Sequence, residues 1–238
     1  MIVFENVTVA YDRGAPALRS LDFEIKDGAA VGIIGANGAG KTTLFKALTG
    51  LLPFEGRITV NSVEVAKKNL PGIRKMLGYV MQNSDNQMFM PKVSDDMIFG
   101  PVNYGMSREE AGKRADEVLG KLNISYLRDR YNHKISGGEK RLAAIATVLA
   151  MEPEILLFDE PSSALDPKNR RMLINILNSL GETKLIASHD LDLVLDTCRE
   201  VMLLNEGRLC AFGSAKEILT DKALLEANGL ELPLRYQN

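Results

Sequence analysis

Residues 2–10 (IVFENVTVA) alternate apolar and polar side chains, the period-two pattern of a strand with one buried face. Leu21, Phe23 and Ile25 repeat the pattern before a turn at Asp27-Gly28. The run AAVGIIG at 29–35 is apolar throughout and closes on glycine, which predicts a parallel strand buried on both faces. A helix is expected from Lys41 to about Gly50, with short strands near Ile58–Val60 and Gly78–Met81. Over 93–134 the pattern turns helical. In SREEAGKRADEVLGKL at 107–122, Ala111, Ala115, Val118, Leu119 and Leu122 share one face. Ser107 is placed to cap that helix, and Glu109 and Glu110 suit its positive end. Strand–helix alternation then returns, with buried strands at ILLF 155–158 and KLIAS 184–188 and a hairpin over 201–213 turning at Asn205–Gly207. This alternation argues for an α/β fold with a mainly parallel sheet.

Composition narrows the class without naming a function. With 238 residues, 45% of them apolar, and a net charge of −2, the chain can bury a core and is not expected to be disordered. Its most apolar stretch, Leu142–Met151, has half the roughly 20 residues of a membrane-spanning helix. No basic region followed by an apolar block opens the sequence, so no secretory signal is expected. Cys198 and Cys210 form neither a CxxC pair nor a metal cluster and suit a reducing cytosol. A pI near 5.8, no tryptophan and no basic stripe argue against nucleic acid as a partner.

The chemistry lies in motifs. Gly35-Ala36-Asn37-Gly38-Ala39-Gly40-Lys41-Thr42-Thr43 fits G-x-x-x-x-G-K-[ST] between an expected strand and an expected helix, the context of a P-loop. Its glycines let successive N–H groups converge on phosphate oxygens, and the helix adds its positive end. Lys41 is expected to bridge the β- and γ-phosphates of ATP and Thr42 to bind Mg²⁺. The strand ending in Asp159-Glu160-Pro161 brings Asp159 to the same sheet edge as a metal ligand, with Glu160 placed to polarise an attacking water. No Asn-Lys-x-Asp element follows, which disfavours a guanine-reading GTPase. Ile135-Ser136-Gly137-Gly138-Glu139 opens a second, apolar helix. Read alone, Ser136 is either a helix cap or part of a second anion site.

In order and spacing these motifs resemble those of the ATP-binding cassette (ABC) ATPases, over Met1 to about Gly213. The resemblance implies a P-loop NTPase core, an N-terminal antiparallel β subdomain and an α-helical subdomain at about 93–150, all within one nucleotide-binding domain spanning 1–238. It makes Ser136-Gly137-Gly138 the signature segment, with Glu139 where the family carries Gln. It implies that Tyr11 stacks on adenine, that Gln82 touches Mg²⁺ and senses a membrane partner, and that Ser163-Ala164-Leu165-Asp166 crosses a dimer interface. It makes His189 the γ-phosphate switch; His133 has no such context. It also implies that two ATPase subunits, identical or different, pair head-to-tail around ATP.

One further stretch narrows the branch. Gln82 to Phe89, with Val93-Ser94-Asp95-Asp96 and Phe99-Gly100-Pro101-Val102-Asn103, resembles ATPases of energy-coupling-factor (ECF) transporters, with Ser84 for the usual Pro and Asn86 for Asp. That resemblance implies uptake of a vitamin or transition-metal ion at the cytoplasmic face of the cell membrane, with a transmembrane scaffold and a substrate-binding membrane subunit as partners. Met88, Phe89, Met90 and Val102 are expected to offer groove surface to the scaffold. A conventional importer fed by a solute-binding protein and a soluble non-transport ABC scaffold are the alternatives.

Overall fold

A computed structural model of the protein describes residues 1–11 and 14–237. β1 (Ile2–Ala10), β2 (Pro16–Ile25), β4 (Glu55–Val60) and the two-residue β5 (Val63–Glu64) form an antiparallel sheet in the order β2-β1-β4-β5. Its register sets Phe4 opposite both Phe23 and Ile58, so the alternation read in 2–10 becomes one buried face.

A second sheet has the order β10-β9-β3-β8-β7-β6, built from β3 (Ala30–Ile34), β6 (Leu77–Val80), β7 (Ile155–Asp159), β8 (Thr183–Ala187), β9 (Glu200–Asn205) and β10 (Arg208–Ser214). Only the β9–β10 hairpin is antiparallel. Its turn puts Glu206 and Gly207 both at positive φ, 45° and 76°, the twist that matches flanking strands. The central strands read as unbroken apolar runs because both faces are covered. Ile155 and Leu157 face a core shared with the antiparallel sheet and helix α1 (Lys41–Leu48). Leu156 and Phe158 face the opposite core. That core is closed by α5 (Gly137–Leu149), α6 (Pro167–Ser179) and α7 (Leu191–Thr197).

Helix α2 (Leu70–Met76) precedes β6, and α3 (Val93–Asn103) and α4 (Arg108–Lys121) pack against α5. The expected face of α4 is buried, and Ser107 caps it in a reciprocal box with Glu110. Being covered by these helices as well as by the sheet explains why α5 is apolar on nearly every side. Two short helices, α8 (Ala215–Thr220) and α9 (Lys222–Ala227), lead to the last described residues. Helices α2, α6, α7, α8 and α9 and strand β5 extend the sequence reading.

Candidate functional site

The parallel strands β3, β8 and β7 are neighbours, so their carboxyl ends deliver the P-loop, His189 and the Asp159-Glu160 pair to one edge. The loop after β3 needs its glycines. Gly40 has φ 109° and a Cβ there would meet Leu18 Cδ2 at 2.6 Å and the Ala17 carbonyl at 2.9 Å. Gly38, at φ 83°, has open space, so only its backbone angle demands glycine. The resulting cavity of about 210 Å³ is lined by Asn37 to Thr43, Gln82 and Glu160.

Lys41 is buried, and its Nζ donates to the carbonyls of Gly35 (2.7 Å) and Ala36 (3.4 Å). Glu160 Oε1 lies 3.8 Å from the same ammonium. Burial holds the lysine below its ordinary pKa, with Glu160 and Asp159 opposing the shift. Glu160 is itself buried and sits at φ 47°, a left-handed conformation uncommon for a non-glycine residue. Its amide donates to the Ala187 carbonyl at 2.8 Å, which locks the turn to the end of β8. Its Oε2 accepts the His189 amide at 3.2 Å and lies 2.7 Å from His189 Nδ1. The His189 ring is otherwise exposed.

Asp159 is 1% exposed, and no cation among the described residues lies within ion-pair distance of it. Thr42 Oγ1 donates to its Oδ1 at 3.2 Å and Tyr79 OH to its Oδ2 at 3.0 Å. Burial pushes its carboxyl above the ordinary range and the neighbouring Glu160 adds to that, while the two hydrogen bonds oppose it. Burial and Asp159 also push the Tyr79 phenol up. A buried carboxylate on the Thr42 hydroxyl, with Gln82 lining the same cavity as Thr42, offers oxygen donors suited to a hard dication that keeps waters and phosphate oxygens as its other ligands. Tyr79, unremarked in the sequence, is legible only once β6 is placed beside β7.

Tyr11 is 45% exposed and its hydroxyl lies 3.1 Å from Thr43 Oγ1, tying it to α1. The rest of the expected constellation stands elsewhere. Ser136 caps α5 in a reciprocal box: its Oγ accepts the Glu139 amide, and both its amide (2.8 Å) and its hydroxyl (2.9 Å) donate to Glu139 Oε2. Gly137 lines a second cavity of about 420 Å³ with Ser163, Ala164 and Gln82, which borders both cavities. Gly138 packs on Asn169, where an added Cβ would come within 2.4 Å of Nδ2. Asp166 caps α6, accepting the Asn169 amide at 2.9 Å. Ser136, Gly137, Gly138 and Asp166 do not line the cavity of their own chain's 35–43 loop. His133 is exposed in a short 3-10 turn.

After Gln82 the chain builds the apolar surface that the sequence promises, with one correction. Met88 is 5% exposed and belongs to the core, while its neighbour Phe89 is 63% exposed and stacks edge-on against Phe99, ring centroids 5.0 Å apart. Asp96 Oδ1 accepts the amides of Phe89 and Met90, both at 3.1 Å, and Asn132 donates to the Met90 carbonyl at 2.7 Å and to Asp96, which fixes the turn. Met90, Ile98, Phe99 and Val102 line the adjoining groove of about 370 Å³.

A P-loop at the end of β3, a carboxylate pair at the end of β7 and a histidine after β8 agree with the comparison to known proteins. The profile of the ABC transporter family matches residues 18–163. The chain belongs to that family. It is an ABC ATPase, an ATP-binding and ATP-hydrolysing subunit of a transporter. It is 42% identical over 228 residues to a Geobacter sulfurreducens protein named for ABC transporter ATP binding, across 95% of this chain and 92% of that one. To the energy-coupling factor transporter ATP-binding protein EcfA of Methanothermobacter thermautotrophicus it is 41% identical, across 98% of this chain and 77% of that protein. Among solved structures, CbiO1 of Clostridium perfringens, part of the ABC transporter complex CbiONQ, superposes with a TM-score of 0.83 at 36% identity, covering 95% of this chain and 93% of that one. The cassette MJ0796, solved as a dimer in a post-hydrolysis state with ADP and Pi, gives 0.82 at 27% identity, covering 90% and 99%.

Proposed function

We propose that this ABC ATPase powers an importer of the energy-coupling-factor type, taking up a vitamin or a transition-metal ion, from the cytoplasmic face of the membrane. The observation that carries the reading is the braced apolar surface that follows Gln82 in the chain, Phe89 and the adjoining groove. An aromatic ring left 63% exposed, held outward by a buried carboxylate, is a surface built for a partner. The likeness to EcfA and to CbiO1 supports the same branch. Among the described residues no helix is long and apolar enough to cross a membrane, so in this reading transmembrane scaffold and substrate-binding subunits carry the solute.

The chain acts as one nucleotide-binding domain, 1–238, with 93–150 as its helical subdomain. Gly35, Asn37, Gly38, Gly40, Lys41, Thr42 and Thr43 hold the triphosphate, and Tyr11 meets the adenine. Thr42, Gln82 and Asp159 hold Mg²⁺, which when bound neutralises phosphate charge. Glu160 orients and deprotonates the attacking water, and His189 contacts the γ-phosphate. The Ser136–Gly138 segment and Asp166, outside the cavity of their own P-loop, complete the site of a second ATPase subunit, identical or different. Binding then closes the pair and hydrolysis opens it, a population shift driven by the ligand.

The test is purification of the tagged chain from membranes of its source organism, with partners identified by mass. A multi-span scaffold with a small integral membrane protein is the expected result. A conventional permease pair, or soluble partners alone, would overturn the importer branch and leave the ATPase chemistry standing.

A further inference from the structure

Helix α5 carries a charge that its position does not favour. Arg141 stands in the second turn, near the positive end of the helix, and is 5% exposed. No carboxylate of the described residues lies within ion-pair distance of its guanidinium. Burial holds it below its ordinary pKa. Placing an unpaired cation there is costly, and an apolar residue would fill the space at lower cost. What an apolar residue cannot do is donate. Nη1 donates to the Met81 carbonyl at 2.6 Å and Nη2 to the Gln82 carbonyl. Both carbonyls follow β6, where the sheet ladder has ended, and a planar fork can serve two at once.

The attachment is reinforced on both sides. The Met81 amide donates to Gln87 Oε1 at 3.0 Å, and Gln87 Nε2 reaches the Ala144 carbonyl of α5 at 2.7 Å. Lys140, next to Arg141, pairs with Asp85. Both polar groups of the Met81 peptide are thus tied to α5, directly or through one side chain.

We infer that Arg141 is a positioning residue: it binds the Gln82 peptide to α5, so that Gln82 in one nucleotide cavity and the Ser136–Gly138 segment offered to the other move as one body. The inference rests on the two-subunit reading above. Its consequence is a coupling between sites. Filling the P-loop of one chain sets the pose of the helix end that the same chain lends to its partner, and such couplings typically change an affinity by about 5- to 150-fold.

The experiment compares Arg141→Lys and Arg141→Met with the parent in a Glu160→Gln background, following dimer formation by light scattering as ATP is titrated. Lysine keeps a charge that reaches one carbonyl, and methionine keeps the volume without a donor. Dimerisation is expected to need about tenfold more ATP in Arg141→Met and an intermediate amount in Arg141→Lys. The affinity of dilute monomer for a fluorescent ATP analogue should stay within about twofold. Dimerisation at the parent's ATP concentration, or loss of monomer affinity in parallel with dimerisation, would overturn the positioning role. A parent that stays monomeric at saturating ATP would instead sink the two-subunit reading on which it depends. Should both variants misfold, hydrogen exchange on dilute monomeric parent decides. ATP should change exchange at 81–83 and at 137–140 together, and a change confined to 81–83 refutes the link.

Discussion

Asp159→Asn should make the ligand-free protein more stable while removing its hydrolysis. The carboxylate is 1% exposed and, among the described residues, has no cation within ion-pair distance. Its ionised form is disfavoured by burial first and by the adjacent Glu160 as well. A carboxyl whose folded pKa lies above its unfolded value contributes stability only below the unfolded pKa, and loses it as pH rises through the folded one. At neutral pH the charge therefore costs folding free energy. Desolvating a poorly compensated ion costs several kcal/mol, and hydrogen bonds from Thr42 and Tyr79 return about 1.5–3 kcal/mol each. The raised pKa says that the return falls short. Asparagine removes the charge and keeps one acceptor, giving up one bond worth roughly 1 kcal/mol. The net expectation is a gain of about 1 kcal/mol, or about 2–4 °C in Tm for a chain of this size.

Thermal unfolding of wild type and Asp159→Asn in EDTA, from pH 8 down to pH 4, measures this. The gain should be full at neutral pH and shrink as the wild-type carboxyl takes up its proton. Adding Mg-ATP should reverse the ranking, because only the carboxylate gains from the dication and a bound ligand stabilises by RT ln(1 + [L]/Kd), more for the tighter binder. A variant less stable than wild type by 1 kcal/mol or more at pH 7 in EDTA would refute the reasoning. The carboxylate would then be a structural acceptor and not a ligand held ready.

Other changes separate the parts of the site. Glu160→Gln should slow hydrolysis by about a hundredfold or more and accumulate an ATP-bound dimer; turnover within tenfold of wild type would remove Glu160 from the water-activating role. Lys41→Ala should abolish binding of a fluorescent ATP analogue at concentrations that saturate wild type, and unchanged binding would overturn the P-loop assignment. Gly138→Ala should push aside the Asn169 side chain, which bonds Asp166 Oδ2 at 2.6 Å. That should cost roughly 1 kcal/mol and a few degrees of Tm, with ATP-driven dimerisation reduced at least tenfold. Dimerisation at wild-type ATP concentrations would show that the segment does not meet nucleotide in trans.

How far the site was legible follows from how far apart in sequence its interacting residues stand. The P-loop, the Asp159-Glu160 strand end and the Ser136 cap are local: each is set by a few consecutive residues between a strand and a helix, so spacing alone carries them. The braces are not local. Tyr79 reaches Asp159 across 80 positions, Arg141 reaches Gln82 across 59, and Asn132 reaches Asp96 across 36. In sequence Lys140-Arg141 reads as one basic pair, and only packing divides it into a rim lysine paired with Asp85 and a buried arginine on two carbonyls. Met88 and Phe89 are likewise alike as letters, and the Asp96 hydrogen bonds decide which turns outward. Ser136 marks the deeper limit. Both readings left open for it fit its geometry, because the box with Glu139 commits its hydroxyl within its own chain while Gly137 beside it stays exposed. A cap that closes on itself in one chain can serve a phosphate only when another chain brings one. The Ser136 hydroxyl must then leave a carboxylate where the family carries an amide. Glu139→Gln keeps the box but removes a negative charge beside that phosphate. Half-saturating ATP for dimerisation should fall severalfold, and an unchanged value would place Glu139 outside the nucleotide's field.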